Sequence, residues 1–343
     1  MASVNVFVAQ RGNQFMRDLA RWIVEAAGST GRQAVLVDDR LPSGDDSINL
    51  VVAPHEFFEL YGAPRKALQQ AAAASICINT EQPGTSWFRL AVDACRRGLL
   101  TLDISDQGVD ALHDCEIAAE RLRLGGVPSM QQGPIQTDRP IDVLFMGGLD
   151  DRRGAALAEL APRLWGLHTD IRLTGVDRPI DETTPRTVFG DDKHRLLSSA
   201  KMLLNIHRDR PQGAQHAPYF EWVRAIEAMA AGCVVISEPS DGCAPLVAWT
   251  HFVESTVEKM ADITAGLLND EERRGEIADR AKEMIFGELA LGESIAPVLD
   301  RIEQDVLLDI AAHSKSAAVR KGAWHIGLGQ APPPVRLGWS RST

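Results

Sequence analysis

Cysteine is scarce and unpatterned: five residues (Cys77, Cys95, Cys115, Cys233, Cys243), odd in number and without CxxC spacing. That argues against a disulfide framework or a zinc site and leaves structural thiols. No uninterrupted apolar run approaches the ~20 residues that a membrane-spanning helix requires. The N-terminus enters a strand-like run at 4–9 without a basic segment followed by an apolar one, so a secretion signal and a transmembrane segment are not expected and a cytoplasmic location is. Positive charge is in deficit, 36 Lys plus Arg against 47 Asp plus Glu for a net charge of -11. The long-range field therefore repels nucleic acid and anionic membranes, and an anionic substrate must be held by local groups. No period of 20–50 residues repeats, which excludes a solenoid or propeller. A Gly-rich dinucleotide fingerprint is missing too: the first strand leads into Ala9-Gln10-Arg11-Gly12-Asn13-Gln14, which disfavours an NAD-linked oxidoreductase.

What is present is an ordinary globular composition, 45% hydrophobic and 24% charged, over 343 residues, long enough for two domains of roughly 150 residues. Buried-strand patterns at 4–9, 33–37, 48–53, 75–79 and 101–104 are joined by helical spacing at 15–27 and 87–97. Residues 125–140 are rich in Gly, Pro and Gln and read as the interdomain connection. A second alternation comes next: strands at 141–146, 171–174, 201–206 and 233–237, and helices at 153–164, 191–199 and 221–231, the last closed by Gly232. Helical patterns at 257–269, 271–286 and 295–312 close this domain. The expected fold is α/β, two Rossmann-like domains with parallel sheets facing across a cleft. The expected division is an acceptor domain at 1–127, a linker at 128–140, a donor domain at 141–313 and an irregular tail at 314–343 that straps the surface or is partly mobile.

The most informative run is AKMLLNIHRDRPQGAQHAPYFEWVRAIEAMAAGCVVISEPSDGCAPL at 200–246. Strand, polar loop, aromatic-Glu, amphipathic helix ending Ala-Met-Ala-Ala-Gly, buried strand and Ser-Glu: this resembles the donor half of glycosyltransferases with two Rossmann-like domains, the GT-B architecture. It looks most like the group 1 branch whose donor segment reads LNIH, then FExxR, then VVSE. DVLFMGGLDDRRGAAL at 142–157 and INTEQP at 78–83 are similar to further segments of that branch. The resemblance implies a nucleotide-sugar donor as co-substrate, no other cofactor, and an acid near Glu221 that binds ribose hydroxyls. It also implies that Ser237 and Glu238 lie near the donor sugar or ribose. One departure stands out: many such donor sites carry two acids separated by seven residues, and the position eight before Glu227 is Tyr219.

The residues make a case of their own. Glu221 falls in or just before the first turn of its helix, where unpaired N–H groups and the macrodipole favour a diphosphate. Arg224 and Glu227 succeed it at one-turn intervals, and the alternative for all three is a solvated Glu-Arg-Glu ladder. His207 stands at a strand's carboxyl end, suited to a phosphate, a sugar hydroxyl or proton transfer, unless it is a loop histidine with no task; Arg208 and Arg210 come after it. Gly147 and Gly148 would let backbone approach a phosphate. Arg152 and Arg153, with Lys193 as a weaker companion, would neutralise a departing diphosphate or else form an exposed pair.

On the acceptor side, Gly12 and Asn13 lie just past the first strand. His55 and Glu56 lie just past the strand at 48–53 and are catalytic candidates together with His207, while Glu81 is a further acceptor contact. Whether transfer inverts or retains configuration stays open. No acidic pair suits a metal, since Asp150-Asp151 and Asp191-Asp192 lie beside basic residues, and a metal-independent transfer is expected. The acceptor (glycan, lipid-linked, protein or small molecule) and the oligomeric state are not specified. A nucleotide-sugar epimerase on the same fold and a non-catalytic binding or scaffold subunit are the competing readings.

Overall fold

The computed structural model describes residues 1–44, 47–131, 138–175, 178–208 and 218–306. The first lobe runs β1 (Val4–Phe7), α1 (Gln14–Ser29), β2 (Ala34–Val37), β3 (Ile48–Val52), α2 (Pro54–Leu60), α3 (Arg65–Ala72), β4 (Ile76–Asn79), α4 (Ser86–Cys95), β5 (Leu100–Asp103), α5 (Asp106–Asp114), β6 (Ala119–Arg121) and α6 (Pro128–Gln131). The second runs β7 (Ile141–Gly148), α7 (Asp151–Leu164), β8 (Thr169–Thr174), α8 (Gly190–Ser198), β9 (Ala200–Asn205), α9 (Trp222–Ala230), β10 (Val234–Ser237), β11 (Val253–Glu254), α10 (Val257–Asn269), α11 (Glu271–Phe286) and α12 (Leu291–Arg301). A π-helical turn, Ile302–Val306, extends α12.

Both sheets are wholly parallel. Their orders are β2-β1-β3-β4-β5-β6 and β8-β7-β9-β10-β11. Counted from its own first strand, the first sheet is therefore wound 2-1-3-4-5-6 and the second 2-1-3-4-5, with helices on both faces. Central strands such as β3 (INLVV) and β10 (VVIS) are buried at every position, which is why they appear in the sequence as unbroken apolar runs and not as alternating ones. The order of a doubly wound sheet reverses between β1 and β3 in the first lobe and between β7 and β9 in the second. Loops leaving those strands diverge there and open a crevice at the carboxyl edge.

Two features differ from the sequence reading. The linker holds a short helix, α6, and the glycines before it are packed: a Cβ on Gly125 would lie 1.3 Å from the Leu289 carbonyl oxygen, and one on Gly126 2.4 Å from the Phe286 ring. The last helix does not close the second lobe. α12 crosses back onto α1, where Arg32 donates to Asp300 and, at 2.9 Å, to Glu303. Its register is set by Gly126 N–H on the Ile285 carbonyl at 2.7 Å and Leu291 N–H on the Gly126 carbonyl at 3.0 Å. Helical periodicity shows that a face is apolar but not which core it covers, so the pattern at 295–312 carries no information about its lobe. The outer part of that pattern, the proposed tail at 314–343 and Arg210 lie outside the described residues. No helix among the described residues is long and apolar enough to cross a membrane.

Candidate functional site

A cavity of about 610 Å³ lies between the two carboxyl edges. Residues at or just beyond the strand ends contribute to its walls: Thr80, Glu81 and Gln82 after β4, Ile104 after β5, Gly147 and Gly148 at the end of β7, Thr174 at the end of β8, His207 and Arg208 after β9. The start of α9 supplies Glu221, Trp222 and Arg224.

The cavity is electrostatically divided. All its cationic side chains (Arg153, Arg172, Arg186, Lys193, Arg208 and Arg224) come from the second lobe, whereas the first lobe contributes one ionisable group, Glu81. Burial, reinforced by the nearby Glu56, Glu221 and Asp103 carboxylates, pushes Glu81 up to about 8. At neutral pH it keeps its proton, and the first-lobe wall is uncharged.

Arg153 is 1% exposed. Its Nε donates to the Ile206 carbonyl at 2.9 Å and Nη1 to the Gly148 carbonyl at 3.1 Å, which fixes the guanidinium across the β7/β9 crevice. Nη2 is buried and has no hydrogen-bond partner among the described residues. Burial, with Arg224 and Arg208 close by, brings its pKa down to about 9, so it stays cationic at pH 7. Gly147 is small for a reason: a Cβ there would lie 3.2 Å from Arg153 Nη1.

Glu221 is the N-cap residue of α9 but makes no side-chain capping bond; its carboxylate faces the cavity. Burial would raise its pKa, yet Arg224, Arg153, His207 and Arg208 outweigh that and hold it below the usual range. Gln82 reaches across from the first lobe and donates to Glu221 Oε1 at 3.2 Å. Arg224 is anchored by Nη1 on Asn205 Oδ1 at 2.8 Å, and Asn205 donates in turn to Ser237 Oγ at 2.9 Å. Glu227 lines the cavity but is tied to Lys193 at 2.5 Å.

His207 is buried, which lowers its pKa and leaves the ring neutral. Nε2 lies 3.3 Å from the Pro239 carbonyl, which can only accept, so Nε2 carries the proton. Nδ1 is then a bare acceptor, buried and without a partner among the described residues.

Other sequence-predicted residues stand behind this surface. Arg152 forms a bidentate pair with Glu238 and donates to the His207 carbonyl at 2.7 Å, while Glu238 accepts from the His207 N–H at 2.8 Å. Arg152, Ser237 and Glu238 thus hold the loop bearing His207 and do not line the cavity. Gly12, Asn13, His55 and Glu56 are likewise off its walls. Asn13 binds the Glu56 carboxylate through its backbone N–H at 2.9 Å and its amide, and accepts from the Ile180 N–H at 2.8 Å across the lobes. A Cβ on Gly12 would come within 2.6 Å of Glu56 Oε2, so its glycine serves that packing. His55 is buried with its pKa lowered to about 4, and its Nε2 sits 3.6 Å from Glu81 Oε1.

The structure adds residues that the sequence did not single out, among them Phe15, Gln82, Trp87 and the stretch Arg186 to Phe189. Gln82 adjoins Glu81 in the INTEQP segment and was within reach of that pattern. Arg186 adopts φ +63°, a left-handed conformation that a linear sequence does not advertise.

With this geometry in hand, residues 152–296 match the family described as Glycosyl transferase-like. That stretch is similar to a glycosyl transferase-like domain. That match covers Arg152, Arg153, Lys193, His207 and all of α9, and thus nearly the whole cationic wall. Solved structures extend the likeness to both lobes. HepE of Anabaena in complex with UDP and glucose is 12% identical, with a TM-score of 0.56 over 87% of this chain and 100% of that one. Sucrose-phosphate synthase from Thermosynechococcus elongatus is 13% identical, with a TM-score of 0.55 over 88% and 99%. A glycosyltransferase from Rickettsia africae is 11% identical, with a TM-score of 0.51 over 90% and 99%. At these identities they show the fold, which is GT-B. No curated protein sequence matches the chain.

Proposed function

We propose that the chain is a glycosyltransferase that moves a sugar from a nucleotide-sugar donor held by the glycosyl transferase-like lobe to an acceptor lying against the first lobe. One observation carries the reading: at the β7/β9 crevice Arg153, a residue of the cavity lining, has a buried Nη2 with no hydrogen-bond partner among the described residues, near the ionised Glu221. A buried charged donor without a partner costs stability and is retained where a ligand completes it.

In this reading Arg153 Nη2, assisted by Arg208, binds the diphosphate and stabilises the charge it gains as the glycosidic bond breaks. Glu221 accepts from ribose hydroxyls, with Arg224 keeping it ionised and Gln82 fixing one oxygen. His207 Nδ1 accepts from a hydroxyl of the donor sugar. Because these side chains supply the compensating charge, the transfer is proposed to need no metal. The HepE complexes with UDP-glucose and with UDP and glucose make a uridine diphosphate sugar the first donor to try.

The test monitors nucleotide release from a panel of UDP-, GDP-, dTDP-, ADP- and CMP-sugars, with and without EDTA. The proposal expects one nucleotide family to turn over when a competent acceptor is present, at a rate that EDTA leaves unchanged. Conversion of the donor sugar without nucleotide release would favour an epimerase instead, and binding without turnover a scaffold.

A further inference from the structure

We propose that the chain forms a two-fold dimer in which the outer edge of β8 pairs antiparallel with the β8 of a second copy, about an axis through Ile171. The inference needs no ligand and stands independently of the donor assignment.

Four strands end the two sheets, and three of them are short: β2 has four residues, β6 three and β11 two. β8 has six, none of them buried, and spans about 20 Å. Among the described residues no strand pairs with its outer edge. An exposed edge of that length is a template for another chain. Its bonds to β7 show which backbone groups are free. The Thr174 carbonyl accepts from the Leu149 N–H at 2.8 Å and the His168 carbonyl from the Val143 N–H at 3.3 Å, so the even-numbered residues turn toward β7. Backbone direction alternates along a strand, and Thr169, Ile171 and Leu173 therefore turn their N–H and C=O groups outward.

Two separate criteria select one alignment. An axis through Ile171 sets that residue opposite itself and Thr169 opposite Leu173, so every outward residue of each copy meets an outward residue of the other. The same axis sets Asp170 opposite Arg172 of the second copy, twice, at the non-hydrogen-bonded positions where side chains approach most closely. Within one chain these two pair along the strand at 2.9 Å, and the second copy turns the pair into a ladder of four alternating charges. Moving the axis to Asp170 or Arg172 sets like charges face to face and leaves Leu173 or Thr169 unmatched.

α7 supports the same axis. Ile171 and Leu173 pack with Ala156, Leu160 and Leu164, which puts α7 on their face of the sheet and antiparallel to its copy. Leu149 just before α7 is 49% exposed and Trp165 at its end 88%. The dimer brings the Trp165 end of each helix toward the Leu149 end of the other and covers apolar surface that a single chain leaves bare. Such an isologous contact closes on itself, so assembly stops at two.

Sedimentation equilibrium of the full chain across the micromolar range tests this. We expect a species of twice 37.4 kDa. Asp170→Arg and Arg172→Asp each set like charges opposite one another and should weaken the dimer at least about tenfold. The doubly reversed chain, Asp170→Arg with Arg172→Asp, should regain it. Trp165→Asp should weaken it as well while leaving the circular dichroism spectrum unchanged. If a single reversal fails to fold, the double reversal and Trp165→Asp carry the test. A monomeric wild type, a dimer indifferent to all these changes, or a dimer lost in the single reversals and not regained in the double one would each overturn the inference.

Discussion

Arg153 concentrates the conflict between stability and function in a single side chain. Its charge is buried over the Phe145 ring, 5.9 Å from the centroid, with two of its three nitrogens hydrogen-bonded among the described residues. A buried charge that is not ion-paired costs stability, and an apolar methionine of similar length carries no such desolvation cost. Arg153→Met should therefore melt, without ligand, at the wild-type temperature or above it, as scanning calorimetry would show; a fall of several degrees would mean that the arginine is structural. Glu81 makes a second residue-scale prediction. Its carboxyl sits at about 8 in the fold against an ordinary 4.5, so the native state holds a proton that the unfolded chain has lost, and stability falls as pH rises across that interval. His55, lowered from 6.5 to about 4, acts in the opposite sense but only below 6.5. Asp103, raised to about 7, adds to the fall until there. Between pH 7 and 8 the slope belongs mainly to Glu81, and Glu81→Gln should flatten the melting temperature over that window. An unchanged slope would show that the acid is already ionised.

At the scale of elements, α12 is the piece whose role is most easily misjudged. It packs on α1, whose Ile23, Ala26 and Ala27 are fully or nearly fully buried, and its Arg301 pairs with Glu120 of β6. A chain stopped before Leu291 should expose that stripe and bind a hydrophobic dye or aggregate, although the residues removed lie outside the donor site. A monomeric truncated chain with wild-type melting would contradict this packing. The same helix shows what the sequence conveys and what it does not. Strands such as β3 and β10 are legible because burial on both faces demands an apolar run, and α9 because its small-residue ending and Gly232 cap mark it. β6 reads Ala-Glu-Arg over three residues, too short and too polar to register. The choice of α12 between two cores depends on contacts hundreds of residues apart. In the site, Glu221, Arg153 and His207 are legible because they flank strand ends within a patterned segment. The functions of Arg152 and Glu238 in bracing the loop depend on pairings that spacing alone does not encode.

Across the whole molecule, two parallel sheets that share the order 2-1-3-4-5, the first extended by a sixth strand, face their carboxyl edges toward one cavity, and hydrogen bonds cross between the lobes. Tyr219 donates to the Thr80 carbonyl at 2.7 Å, Gln107 to Asp241 at 3.0 Å and Gln82 to Glu221 at 3.2 Å. Among the described residues cations lie on one side and Glu81 is the one ionisable group of the other, so local positive charge gathers in one wall of a cavity in a protein whose net charge is -11. The central claim, that the cationic wall holds a sugar nucleotide through Arg153 and Glu221, is tested most directly by calorimetric titration of nucleoside diphosphates into the wild type, Arg153→Met and Glu221→Ala at physiological salt. The account predicts that one diphosphate binds the wild type and that each substitution weakens it by at least about tenfold, the worth of one charge-assisted hydrogen bond. Equal affinity in all three proteins, or no binding of any nucleotide to the wild type, would contradict it.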